Sequence, residues 1–78
     1  MQCFFVQFRC EPGHAYAVAT ALAERELASE IYSVSGEYDL MAKFYLEEDR
    51  DIGHFVNDKL HGIAGIRRTV TILTFRAF

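Results

Sequence analysis

Basic side chains are in short supply. Eight Lys and Arg stand against eleven Asp and Glu, a net charge of −3, and no basic cluster exceeds the pair Arg67-Arg68. Direct binding to nucleic acid leans on a basic surface that neutralises phosphates, so these residues are not expected to bind DNA themselves. Cysteine is scarce too. Cys3 and Cys10 lie at the two ends of what reads as one strand, about 23 Å apart if extended, where a disulfide tolerates about 7 Å between Cα atoms. Both read as reduced thiols of a cytoplasmic protein, and neither has the nearby partners that a zinc site requires. There is no charged-then-apolar leader and no run of about 18 apolar residues, so neither export nor a membrane span is expected.

What is present is apolar surface. The 78 residues are 51% hydrophobic and 14% aromatic. A chain of this length forms one domain, spanning residues 1–78, and buries only about 60% of the surface it exposes when unfolded. That core is too small to hide so many apolar groups. Association with a second subunit resolves the excess, and a homo-oligomer is expected before any motif is read.

In chain order, Gln2 to Arg9 alternates, with Phe4, Val6 and Phe8 on one face and Cys3, Phe5, Gln7 and Arg9 on the other, the period of a strand. Glu11-Pro12-Gly13 ends it. His14 to about Ser29 is alanine-rich and reads as a helix with Val18 and Leu22 on its apolar stripe, flanked by Ala15 and Ala19. Glu30 to Ser35 is a second strand and Tyr38 to Leu46 a third, joined by Gly36-Glu37 as a two-residue type II′ turn. That turn pairs Ser35 with Tyr38, Val34 with Asp39 and Tyr32 with Met41. It turns Leu40, Ala42, Phe44 and Leu46 inward and Asp39, Met41, Lys43 and Tyr45 outward.

Glu47-Glu48-Asp49-Arg50-Asp51 is a polar break whose aspartates cap the next helix. Its acids lack the spacing of an EF-hand loop, so no metal site is read there. Ile52, Phe55, Val56, Leu60 and Ile63 then mark an amphipathic helix, with Gly62 as its stop. Ile66 to Phe78 is the last strand, apolar on both faces, Val70 and Ile72 on one and Leu73 and Phe75 on the other.

The order β-α-β-β-α-β predicts an α+β, ferredoxin-like sandwich, a four-stranded antiparallel sheet with both helices on one face. The helices cover one face only. The other carries Phe5, Tyr32, Val34, Met41 and Tyr45, with either Val70 and Ile72 or Leu73 and Phe75. A monomer rarely exposes such a patch, which predicts face-to-face dimerisation of the dimeric α/β-barrel kind.

The run Tyr32-Ser33-Val34-Ser35-Gly36-Glu37-Tyr38-Asp39-Leu40-Met41-Ala42-Lys43 stands out, followed by Phe55-Val56-Asn57-Asp58-Lys59-Leu60 and Gly65-Ile66-Arg67-Arg68-Thr69-Val70-Thr71. Together these resemble the effector domain of Lrp/AsnC transcription regulators, also called RAM, for regulation of amino acid metabolism. The likeness covers essentially the whole chain, with Ala64 standing where the family often has proline. Full-length members carry a helix-turn-helix domain, whereas here the first strand begins at Gln2, so a stand-alone effector domain is expected. The resemblance implies dimers assembled into rings of four or five, an octamer or decamer. It implies a free amino acid or related small metabolite bound between dimers near the Gly36 hairpin, and mixing with full-length Lrp/AsnC regulators as a further expectation.

A free amino acid needs acceptors for its ammonium and donors for its carboxylate. Asp39 is the candidate acceptor, and hairpin N–H groups near Gly36 are the candidate donors. Tyr38 or Tyr32 would wall the ligand, and Thr69 and Thr71 offer hydroxyls. The candidate ligand-binding set is Val34, Gly36, Glu37, Tyr38, Asp39, Thr69 and Thr71. No catalytic residue, metal ligand or cofactor is assigned. His54 and His61, seven residues apart on one helix, are separated by about 10.5 Å along its axis, too far to share a metal. The chain is read as not an enzyme. The alternatives are a small dimeric α/β-barrel enzyme, monooxygenase- or isomerase-like, since one fold hosts many functions, and an ACT-like amino-acid-binding module.

Overall fold

The alternation of the first strand becomes the centre of the molecule. A computed structural model describes all 78 residues, Met1–Phe78. Strand β1 spans Gln2–Cys10, helix α1 Ala15–Glu24, β2 Glu30–Ser33, β3 Leu40–Leu46, α2 Ile52–Phe55 with a π-helical continuation over Val56–Leu60, and β4 Ile66–Leu73. The four strands form one antiparallel sheet in the order β2-β3-β1-β4. This is the ferredoxin-like α+β arrangement that the element order predicts.

Period-two patterning sets the faces. Phe4, Val6 and Phe8 of β1 and Leu40, Ala42, Phe44 and Leu46 of β3 are buried under Val18 and Leu22 of α1 and Phe55, Val56 and Leu60 of the second helix. Phe4 and Phe44 are cross-strand partners whose rings stack at 5.3 Å, and Phe55 meets both edge-on at 6.0 and 5.7 Å. Offset and edge-to-face pairs add to the burial energy of each ring. Every buried side chain is apolar.

Four boundaries differ from the sequence expectation. Helix α1 stops at Glu24 rather than near Ser29, because Glu26 takes a left-handed backbone (φ 54°). The Glu26 N–H then donates to the Ala23 carbonyl and the Leu27 N–H to that of Leu22, the paired closure of a Schellman motif. Strands β2 and β3 end sooner at the hairpin. Ladder pairing runs from Glu30↔Lys43 to Ser33↔Leu40, and Val34 N–H donates to Asp39 O at 3.1 Å, so the expected register holds. The loop is wider than a two-residue turn, because the Asp39 N–H is engaged by the Phe8 carbonyl of β1 at 2.9 Å. That draws the start of β3 toward its other neighbour.

The second helix is capped as expected, the Asp51 carboxylate accepting from His54 N–H at 3.0 Å. Its end differs. The His61 N–H reaches back five residues to the Val56 carbonyl, and the left-handed glycine after the helix is Gly65 (φ 98°), not Gly62. Gly65 has a second reason to lack a side chain, since a Cβ there would stand 3.0 Å from His14 Cβ and 3.2 Å from Val18 Cγ2. Finally, β4 ends at Leu73, opposite Phe4, and not at Phe78. Phe75 and Phe78, beyond the strand, are exposed.

The register of β4 resolves its two faces. Thr69, Thr71 and Leu73 oppose Phe8, Val6 and Phe4 and share the helix side, while Arg68, Val70 and Ile72 oppose Arg9, Gln7 and Phe5 on the open side. The open face therefore carries Phe5, Tyr32, Val34, Met41, Tyr45, Val70 and Ile72, and Tyr32 (54%) and Tyr45 (44%) are largely uncovered. No helix is long and apolar enough to cross a membrane.

Candidate functional site

Three chain segments converge at one end of the open face: the β2–β3 hairpin tip, the end of β1 and the start of β4. Gly36 has φ +101° with nothing near its Cβ position, so conformation and not space calls for glycine there. The next residue, Glu37, is gripped twice. Its backbone carbonyl accepts from the Arg9 guanidinium, and its carboxylate lies 3.3 Å from Arg68 Nη2. The Arg68 guanidinium also lies over the half-buried Tyr38 ring, 5.4 Å from its centroid. Asp39 closes the group, its Oδ2 accepting the Cys10 N–H at 2.8 Å. Burial, and then the Asp39 charge, push the Cys10 thiol above its ordinary pKa, which holds it protonated at neutral pH.

Of the seven candidate residues, Gly36, Glu37, Tyr38 and Asp39 are together at this tip, and Val34 hydrogen-bonds to Asp39 just below it. Thr69 and Thr71 are elsewhere. The Thr69 hydroxyl lies 3.0 Å from His61 Nε2, and Thr71 lines a recess of about 500 Å³ with Gln2, Asp51, Gly53 and Leu73. Alternation along β4 turns both threonines away from the face that bears the tip.

Sequence reasoning missed the arginines. Arg9, Arg67 and Arg68 line a recess of about 400 Å³ with Glu37 and with no apolar side chain. Arg9 and Arg68 are direct cross-strand partners, and the ladder shifts between Arg9 and Cys10, so Arg67 is left unpaired between Arg68 and Ile66. A bulge re-aims the side chains of the strand that carries it. The available signal was the outward position of Arg9 together with the Arg67-Arg68 pair; their meeting depends on strand register.

A second polar group sits in the middle of the open face. Lys43 Nζ lies 3.6 Å from Glu30 Oε2, 5.3 Å from the Tyr45 ring centroid and 5.9 Å from that of Phe5. The Tyr32 hydroxyl donates to Glu30. That hydrogen bond, aided by the Lys43 charge, holds the Glu30 carboxyl below the usual carboxylate range. The histidines do not converge. His54 pairs with Asp58 at 2.9 Å on the exposed side of its helix, His61 meets Thr69, and His14 Nδ1 sits 3.1 Å from the Pro12 carbonyl.

Comparison with known proteins adds to this geometry. The family model described as the Lrp/AsnC ligand binding domain matches residues 3–78. An uncharacterized HTH-type transcriptional regulator of Pyrococcus horikoshii is 34% identical over 74 residues, covering 91% of this chain and 49% of the regulator. The chain thus spans about half the length of the curated relatives it matches. Among solved structures, TTHA0845 of Thermus thermophilus is 35% identical with a TM-score of 0.88, covering 100% of this chain and 98% of that one. The regulator NMB0573 of Neisseria meningitidis, in complex with L-Met, matches with a TM-score of 0.82 over 96% of this chain and 50% of that one. At 16% identity that likeness shows the fold alone. The 78 residues belong to the Lrp/AsnC family, as its ligand-binding domain.

Proposed function

We propose that the chain is an amino-acid-binding effector and oligomerisation module of the Lrp/AsnC type. It senses a free amino acid or related small metabolite where copies meet, and performs no chemistry on it. One observation carries this reading: donors and acceptors suited to both ends of an amino acid stand at one tip, on the rim of an uncovered apolar face. Asp39 accepts one hydrogen bond through Oδ2, which leaves Oδ1 for a ligand ammonium. The N–H groups beside Gly36 serve the α-carboxylate, and the adjacent arginines offer a further cationic recess beside it. The description of the matched family as a ligand-binding domain supports the reading, as does the L-Met complex of a regulator with the same fold.

In this reading the open faces of two copies pack together, and the dimers close into a ring of four or five, an octamer or decamer. The hairpin tips then lie where dimers touch. The module works in the cytoplasm and modulates full-length regulators by joining their assemblies through shared interfaces.

Thermal unfolding in the presence of each free amino acid tests the ligand. A compound at a hundred times its Kd adds about 2.7 kcal/mol to native-state stability, so a cognate ligand raises Tm visibly. Asp39→Asn keeps an acceptor for the Cys10 N–H but removes the charge; it is expected to abolish the ligand shift and leave the unliganded protein folded. Light scattering at micromolar concentration is expected to find a dimer or larger. A monomer, or no shift with any amino acid, overturns the proposal.

A further inference from the structure

Two arginines face each other directly across the β1–β4 ladder, Arg9 opposite Arg68. Like charges in that position destabilise a sheet unless an anion lies between them. The bulge adds Arg67 to the same recess, and Glu11 answers it at 3.8 Å. What answers Arg9 and Arg68 is Glu37, through its carbonyl and carboxylate respectively. Glu37 is poorly fixed for that task. Its side chain is 73% exposed, it follows a glycine at the tip of a hairpin, and it makes a single 3.3 Å contact with a guanidinium built for two-pronged recognition.

We infer that the Arg9–Arg68 recess is a carboxylate-binding site in which the Glu37 side chain is a tethered stand-in, displaced by the side-chain carboxylate of an acidic amino acid. This rests on the reading of the tip as an amino-acid site and names the class of ligand. The lining decides the class. The recess of about 400 Å³ is lined by Arg9, Glu37, Arg67 and Arg68, with no apolar side chain among them, which favours a charged group over a branched or aromatic one. A carboxylate between two guanidiniums gains charge-assisted, two-pronged hydrogen bonds, which a carboxamide of the same shape does not. Free glutamate repeats the chemistry that Glu37 already supplies from the hairpin. It adds an α-ammonium for Asp39, beside the same tip.

The test compares L-glutamate and L-aspartate with L-glutamine and L-leucine, by calorimetry and thermal unfolding, with potassium chloride at matched ionic strength as the blank. The acidic pair is expected to bind at least about tenfold tighter than glutamine, the worth of one charge-assisted hydrogen bond. Arg68→Gln is expected to lose that preference while keeping the native particle size in light scattering. Glu37→Gln removes the competitor and is expected to bind glutamate about tenfold tighter. Glutamine or leucine binding as well as glutamate, or unchanged affinity in Arg68→Gln, overturns the carboxylate site and leaves the broader amino-acid reading standing. Unchanged affinity in Glu37→Gln overturns the displacement. Failure of every amino acid to bind removes both.

Discussion

Glu26 holds a backbone shape that an L-residue enters at a cost. Its φ of 54° closes the Schellman motif after α1, a position usually filled by glycine. Glu26→Gly relieves that strain and is expected to stabilise the fold by about 1 kcal/mol, read as a higher urea midpoint at unchanged slope. A lower midpoint would show that the side chain makes a contact of greater worth. The same residue explains why the end of α1 was not legible: a glycine would have announced the stop, and Glu24, Arg25 and Glu26 are all acceptable helix formers. Cys10 was legible only in part. Its distance from Cys3 excludes a disulfide, but its hydrogen bond to Asp39 joins residues 29 apart and needs the sheet to exist.

At the scale of elements, a strand with one buried face declares itself. β1 and β3 show strict alternation, and a register slip of one residue would expose Phe44 and Leu40 together, so both strands and their pairing followed from pattern. The hairpin tip did not, because its width is set by the hydrogen bond from Asp39 to Phe8 on a third strand. The arginine recess was hidden for a similar reason, since a bulge in the β1–β4 ladder has no marker in Arg67-Arg68. The second helix has only four α-helical residues before it widens, too few to be stable by propagation alone. Its cap therefore matters. Asp51→Ala frees the His54 N–H and is expected to cost about 1 kcal/mol in chemical denaturation, with Asp51→Ser recovering most of it. An unchanged midpoint for the alanine variant would mean that tertiary packing fixes this helix unaided.

For the whole molecule, the apolar count and the bare sheet face are one fact seen twice. Residues that the composition marked as surplus are those on the open side, and β4 contributes Val70 and Ile72, each 38% exposed, to its edge. Val70→Glu places a charge in the proposed contact and is expected to give a monomer in light scattering, with the helix-side core intact by circular dichroism. An oligomer of unchanged size would move the interface elsewhere. Face-to-face packing would also enclose the Lys43–Glu30 pair, whose charges would then lean on each other, on the Tyr32 hydroxyl and on the Tyr45 side chain in place of water.

The two rims of the sheet are unequal. On one side lies β2, four residues long; on the other lies β4, eight residues long, with a row of backbone N–H and C=O groups facing outward. A short rim is a poor template for strand addition and a long one is a good template. In the language of polymers, each molecule would have a valence of one for strand addition: a copy added along β4 would leave only the short β2 rim, where a pair of equally adhesive rims would permit endless growth.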